Sequence, residues 1–211
     1  NQSAVVKIGR DHQVKWILAS PEGWRSPWKD KVLKPVNASG QILKVEGSTC
    51  EGGFDWTWTQ HSAFRVDEKS TKDVIYVSVF DNGDGRGMEQ PALPNNKYSR
   101  AVVYKIDQKK MTVQQVWEFG QERGNDWYSP VTSLAKYQAD KDSVMVYSGS
   151  AGLFGKPSAM KPEELAKMTK GVHPYLMEFR WGEKEPAVEI KLNDAMGYQA
   201  FPFNLQEAFE Q

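Results

Sequence analysis

Asp55-Trp-Thr-Trp-Thr-Gln-His61-Ser-Ala-Phe-Arg65 is an aromatic, hydroxyl-rich run that follows a glycine turn at Gly52 and Gly53 and carries one of the three histidines of the chain. Its composition predicts a strand, here over Trp56 to Val66. A second Asp-Trp pair stands at Asp126-Trp127, and superposing the two pairs brings His61-Ser62 onto Thr132-Ser133. A match of Ser62-Ala63-Phe64 to Gln199-Ala200-Phe201 brings Tyr198 to the same position. The chain repeats itself, and a repeat of this length governs the fold.

Around these positions the repeat is one of hairpins. Ala4 to Ile17 holds two alternating β-branched runs joined by a polar turn, a pattern that returns at Ala101 to Asp107 with Val113 to Phe119 and again at Tyr175 to Arg180 with Ala187 to Leu192. Between the copies lie further strand pairs, Trp56 to Val66 with Val74 to Phe80 and Trp127 to Tyr137 with Val144 to Tyr147. Four antiparallel strands per unit, with a tryptophan in the outer hairpin, describe propeller blades. About two full units and partial ones at either end are legible, whereas a ring closes with roughly four blades or more. The expectation is an all-β chain in which residues 1–211 form the C-terminal portion of a β-propeller, completed by upstream blades or by another chain, because an open array leaves exposed strand edges. Two stretches interrupt the pattern: Ser20 to Gln41, expected as a surface loop, and an insertion over 149–173 in which Pro162 suits the start of a short helix at Lys161 to Met168.

Composition narrows the function. With 27 basic and 27 acidic residues the chain has no net charge, which argues against a general nucleic-acid or anionic-membrane binder. No apolar run reaches the roughly 20 residues that span a bilayer, and no charged and apolar leader opens the chain. A single cysteine, Cys50, excludes an internal disulfide and any cysteine-based zinc site within the chain. No two of the histidines stand at metal-ligand spacing, so no metal and no cofactor is expected.

The repeat places His61, Thr132 and Tyr198 on the innermost strands of successive blades, where side chains converge on a channel; for Thr132 and Tyr198 a role in merely solvating that channel stands beside a substrate-binding one. Asp81-Asn-Gly-Asp-Gly-Arg-Gly87 is a tight glycine turn, with Asp81 and Asn82 expected to bond amides of their own turn and Arg86 expected in solvent, the commoner case, rather than pointing at an anion. Arg100, opening a strand, is placed either to pin the carboxylates of that turn or to bind an oxyanion of the substrate. His12 sits in a hairpin turn and is expected to be exposed, and His173 is ambiguous.

Gly53-Phe-Asp-Trp-Thr-Trp-Thr-Gln-His61, the Phe80-Asp-Asn-Gly83 turn, Tyr98-Ser-Arg100 and Trp117-Glu-Phe119 together resemble bacterial arylsulfate sulfotransferases, the periplasmic type that needs no nucleotide donor. The resemblance runs from about Ala4 to Phe203. It implies the C-terminal part of a six-bladed propeller, a homodimer, and ping-pong transfer of a sulfuryl group from an aryl sulfate donor to a phenol acceptor through a sulfated histidine. His61 matches the nucleophile of the family, and Thr132 and Tyr198 match channel-lining positions near the sulfate and phenol sites. Further histidines and an arginine that grip the sulfate in the family fall upstream of Asn1. Some members carry a disulfide just before the catalytic strand; here Lys44 stands where a partner of Cys50 is expected. The chemistry agrees with such a role: an imidazole of ordinary pKa, about 6.5, is a nucleophile at neutral pH without a separate base, and its nitrogen–sulfur bond is labile enough to pass the group on. The Trp117 hairpin is also similar to the docking repeats of quinone-cofactor propeller dehydrogenases, and a non-catalytic propeller that binds protein partners is the other alternative.

Overall fold

The computed structural model describes residues 3–90, 92, 97–153 and 170–203, and these are mostly β. The alternating β-branched runs form strands: β1 (Val5–Ile8) pairs with β2 (Val14–Leu18) as the first hairpin. Three short strands follow, β3 (Lys34–Pro35), β4 (Val45–Glu46) and β5 (Thr49–Cys50). Then β6 (His61–Val66), β7 (Val74–Asp81), β8 (Arg100–Asp107) and β9 (Thr112–Phe119) form an antiparallel sheet in chain order, to which β3 adds a parallel edge along β9. After the single turn α1 (Gly124–Trp127), β10 (Leu134–Gln138), β11 (Ser143–Ser148), β12 (Tyr175–Arg180) and β13 (Val188–Lys191) repeat the same four-stranded arrangement.

The units pack face to face, because their strands carry apolar residues on both sides. One face of β8 sends Val102, Tyr104 and Ile106 into a cluster with Trp16 and Leu18 of the first hairpin and with Trp56 and Trp58. The other sends Ala101 and Val103 into a cluster with Trp117, Phe119, Trp127 and Phe179. Trp56, Trp58 and Trp127 are almost wholly excluded from water. Burying a side chain of this size removes on the order of 200 Å² from water, roughly 5 kcal/mol by area transfer. The repeated tryptophans are therefore anchors of the inter-sheet cores. Trp117 completes the junction by stacking edge-on against Phe179 at 5.2 Å and donating its indole N–H to Glu183 O at 2.7 Å.

Two expectations are corrected. The inner strands begin later than the pattern suggests, at His61 and Leu134, because Trp56 to Gln60 and Trp127 to Ser133 run as buried, irregular chain. Thr59, Ser62, Thr132 and Ser133 all take positive φ, which a continuous strand does not allow. Nor is Ser20 to Gln41 only a surface loop: Leu33 and Val36 are buried, and Lys34–Pro35 lies along β9. The helix expected at Lys161 to Met168 lies outside the described residues. At the two ends of the stack, apolar residues face outward, Val6 and Ile8 on β1 and Val188 and Ile190 on β13.

Candidate functional site

His61 opens β6, opposite Phe80 of β7. Between His61 and Phe64 the pairing with β7 slips, and Ser62 adopts φ 56. Such a bulge re-aims a side chain at the end of a strand. The equivalent residue of the next repeat, Ser133, has φ 85, so the irregularity belongs to the repeat. The sequence pattern missed it because period-two alternation carries no mark of a bulge.

The turn after β7 supplies the partner of His61. Asp81 ends the strand fully buried, and Asn82, also fully buried, brings Oδ1 to 2.7 Å from His61 Nδ1. The amide of Asn82 donates to Ser129 O at 2.7 Å and to Thr132 O at 3.0 Å. Asn82 therefore reaches across to the next repeat and does not bond amides of its own turn, as the sequence had suggested. Gly83 holds this geometry with φ 78, and a Cβ there would stand 2.1 Å from Tyr98 O, so only glycine fits.

Beneath the turn lies a buried ion network. Asp81 Oδ1 accepts from Trp58 N at 2.7 Å, and its Oδ2 accepts from Arg86 Nη2 at 2.8 Å and from Arg100 Nε and Nη2 at 3.0 Å. Arg100 also donates to Glu118 at 2.9 Å and to Trp56 O at 2.9 Å. Arg86 further pairs with Asp55 and stacks over the Tyr98 ring at 3.8 Å. Burial opposes the charge of Arg100, but Tyr104, Asp55, Asp81 and Glu118 outweigh it and raise its pKa. Of the two roles open to Arg100, the structure gives the internal one: its guanidinium pins the turn and is 1% exposed, so it does not reach a substrate oxyanion. Arg86, expected in solvent, is likewise buried, paired with Asp81 of its own turn and with Asp55, 31 residues earlier.

The chain segments that carry the three repeat positions come together, through bonds made largely by the neighbouring residues. Ser133 N donates to Tyr198 O at 3.1 Å, Ser62 Oγ to Ser133 O at 2.9 Å, and Gln199 Nε2 to Ser62 Oγ at 2.8 Å. Their side chains diverge. Thr132 is buried, and its hydroxyl is turned to Val131 O and Gly197 O, while the Tyr198 ring is 65% exposed. A recess of about 290 Å³ is lined by Ser3, Thr59, Gln60, His61, Asp84 and Val131, among others. Among the described residues no lysine or arginine lines it. Asp84 holds the Tyr128 hydroxyl at 3.1 Å and Gln90 Nε2 at 3.0 Å.

The other histidines are accounted for elsewhere. His12 is exposed in its turn, as expected. His173 is held by backbone, with ring nitrogens 2.8 Å from Gly171 O and 2.9 Å from Asp126 O.

A family model described as Arylsulfotransferase (ASST) matches residues 1–199. This chain belongs to the arylsulfotransferase family. Among its relatives, the arylsulfate sulfotransferase AssT of Escherichia coli O6:H1 is 54% identical over 172 residues, and the AssT of Lelliottia amnigena is 49% identical over the same length. Each match covers 80% of this chain and 28% of the relative, so the arylsulfotransferase segment described here spans little more than a quarter of those proteins.

In this arylsulfotransferase chain Cys50 is a free thiol opposite Val45 in the β4–β5 hairpin. Burial, then the charges of Asp55 and Glu51, push it up to about 11. At pH 8 about one thiol in a thousand is then ionised, against roughly one in four for a thiol of ordinary pKa near 8.5. Alkylation of Cys50 by iodoacetamide at pH 8 is expected to be on the order of 100-fold slower in the folded protein than in denaturant. Rates within a few-fold of one another would show that the thiol is not shielded.

Proposed function

We propose that this chain supplies the nucleophile-bearing part of an enzyme that moves a sulfuryl group from an aryl sulfate to a phenol by a ping-pong mechanism. The observation that carries the reading is His61: a histidine on a bulged inner strand, lining a recess and anchored on one ring nitrogen by a buried asparagine. In the first half-reaction an imidazole lone pair attacks sulfur, and the aryl oxygen leaves with the bonding pair and takes a proton. In the second, the phenol oxygen attacks the sulfur of the sulfohistidine, the phenol proton leaves, and the bonding pair returns to the ring nitrogen. Since charge builds on the departing oxygen, donors aimed there are worth about 100-fold or more each.

The basic groups that hold the sulfate come, in this reading, from outside the segment, because Arg86 and Arg100 are consumed by carboxylates and, among the described residues, no lysine or arginine lines the recess. The two stacked sheets and the first hairpin are read as blades of a β-propeller. The outward apolar residues on β1 and β13 are then the faces against which the remaining blades pack. Thr132 and Tyr198 are read as rim residues of the channel, and the enzyme as periplasmic.

The test is to incubate the full-length protein with a nitrophenyl sulfate and no acceptor, quench in base and map the peptides by mass spectrometry. A sulfuryl adduct on His61 that discharges when phenol is added is the expected result. Turnover with phenol but no adduct on His61 would move the nucleophile elsewhere.

A further inference from the structure

We infer that Asn82 is a positioning residue that fixes the tautomer of His61, so that Nδ1 keeps its proton throughout and Nε2 alone takes the sulfuryl group. The inference rests on the sulfohistidine reading above. It begins with the amide of Asn82, which faces three polar groups at once: His61 Nδ1, Ser129 O and Thr132 O. Two of these are carbonyl oxygens, which only accept. The NH₂ of Asn82 must point at them, since the opposite orientation would set its own oxygen against both. Oδ1 is thereby committed to His61, and because it too only accepts, Nδ1 must be the protonated nitrogen. In the neutral ring Nε2 then carries the lone pair, and it has no hydrogen-bond partner among the described residues.

The asparagine cannot turn to suit another arrangement. It is fully buried, and its own carbonyl accepts from Ser99 Oγ at 2.8 Å. Ser99 Oγ in turn accepts from Ser129 N at 2.8 Å, which ties the strand end carrying Asn82 to the loop whose carbonyl Asn82 grips. Gly83 has no room for a side chain that could reshape the turn.

The choice of a neutral acceptor has a chemical consequence. When the Nε2 lone pair forms the bond to sulfur and the aryl oxygen leaves with its pair, the ring becomes a sulfoimidazolium with a proton on Nδ1. A carboxylate at that proton would stabilise the positive ring and make it a poorer leaving group in the second half-reaction. An amide oxygen orients the ring without neutralising it, so the bond to sulfur remains easy to break.

The experiment is nitrogen NMR on the full-length protein labelled with ¹⁵N-histidine, read at a pH where the ring is neutral, with the His61 signals assigned by their absence from the His61→Gln protein. His61 is expected to be protonated on Nδ1 and bare on Nε2. The opposite tautomer, or an even mixture, overturns the inference without any variant having to fold. Asn82→Ala is expected to give a mixture of tautomers and to lower sulfuryl transfer by about 10–100-fold, the usual cost of losing the partner that orients a functional histidine. An Asn82→Ala protein with the wild-type tautomer, or a rate within twofold of wild type, overturns the role. Adduct mapping on the wild type separates the two readings. A sulfuryl group on His61 with the wrong tautomer sinks only the inference, whereas the expected tautomer with turnover but no adduct sinks the transfer mechanism and, with it, the use made of Nε2.

Discussion

His61→Gln is expected to lower the aryl sulfotransferase turnover of the full-length protein by on the order of 10⁴-fold or more while leaving the fold in place. The size follows from what is lost. A covalent intermediate divides one difficult transfer into two easier ones, and without the nucleophile the remaining groups only bind and polarise the donor. Glutamine is the substitution of choice because its amide N–H₂ can still donate to Asn82 Oδ1, so the buried asparagine keeps a partner. His61 is only half-buried at the strand end, which also limits the structural cost. The measurement is nitrophenol release at saturating phenol, with thermal melts of both proteins as the check on folding. Turnover retained to within tenfold by a well-folded His61→Gln protein would remove His61 from the role of nucleophile. Loss of turnover together with a melt lowered by many degrees would point to a structural part for the ring instead.

The hairpins were legible because their signals are local. Alternating β-branched runs around polar turns mark β1–β2, β8–β9 and β12–β13, and the repeated Asp-Trp pairs mark the inner strands to within several residues. What stayed hidden is non-local. Nothing near Asn82 in sequence announces that its amide will span to Ser129 and Thr132, 47 and 50 residues away, or that its oxygen will meet His61. Arg86 reads as a solvated loop arginine because the glycines around it promise a turn, and only the fold reveals that Asp55, 31 residues earlier, waits for it in the interior. The repeat predicted the convergence of positions 61, 132 and 198 but not the direction of their side chains, since the positive φ of Ser62, Thr132 and Ser133 breaks the alternation that would have aimed them. The bulge and the reach of Asn82, the two features that orient His61, are those for which a sequence pattern has no symbol.

Asp81→Ala is expected to destabilise the protein by about 3–5 kcal/mol, the cost of leaving buried charges without their partner. The carboxylate is fully buried, and each oxygen is fully used: Oδ1 by Trp58 N, Oδ2 by Arg86 and by two nitrogens of Arg100. Its removal leaves two guanidinium groups that are 4% and 1% exposed sharing only Asp55 and Glu118, and strands a backbone N–H inside the core. Neither arginine can deprotonate to relieve this, and neither can swing out to water without breaking the packing of Tyr98 and Tyr104 around them. At about 2–4 °C per kcal/mol for a unit of this size, the melting temperature should fall by roughly 6–20 °C. Asp81→Asn, which keeps the acceptor for Trp58 N but removes the charge, should cost less, and the difference between the two variants isolates the ionic part. A surface pair supplies the contrast: Arg123 and Glu189 bond at 2.7 Å but are about one-third exposed, and Glu189→Gln should change stability by under about 1 kcal/mol. Denaturant melts of the three variants decide the matter. An Asp81→Ala protein within 1 kcal/mol of wild type would mean that the network is not what holds the turn. The expected loss carries a second effect, because Asp81 is the residue that precedes Asn82: a loosened strand end releases the amide that orients His61, so the same variant should lose sulfuryl transfer even at temperatures where it remains folded.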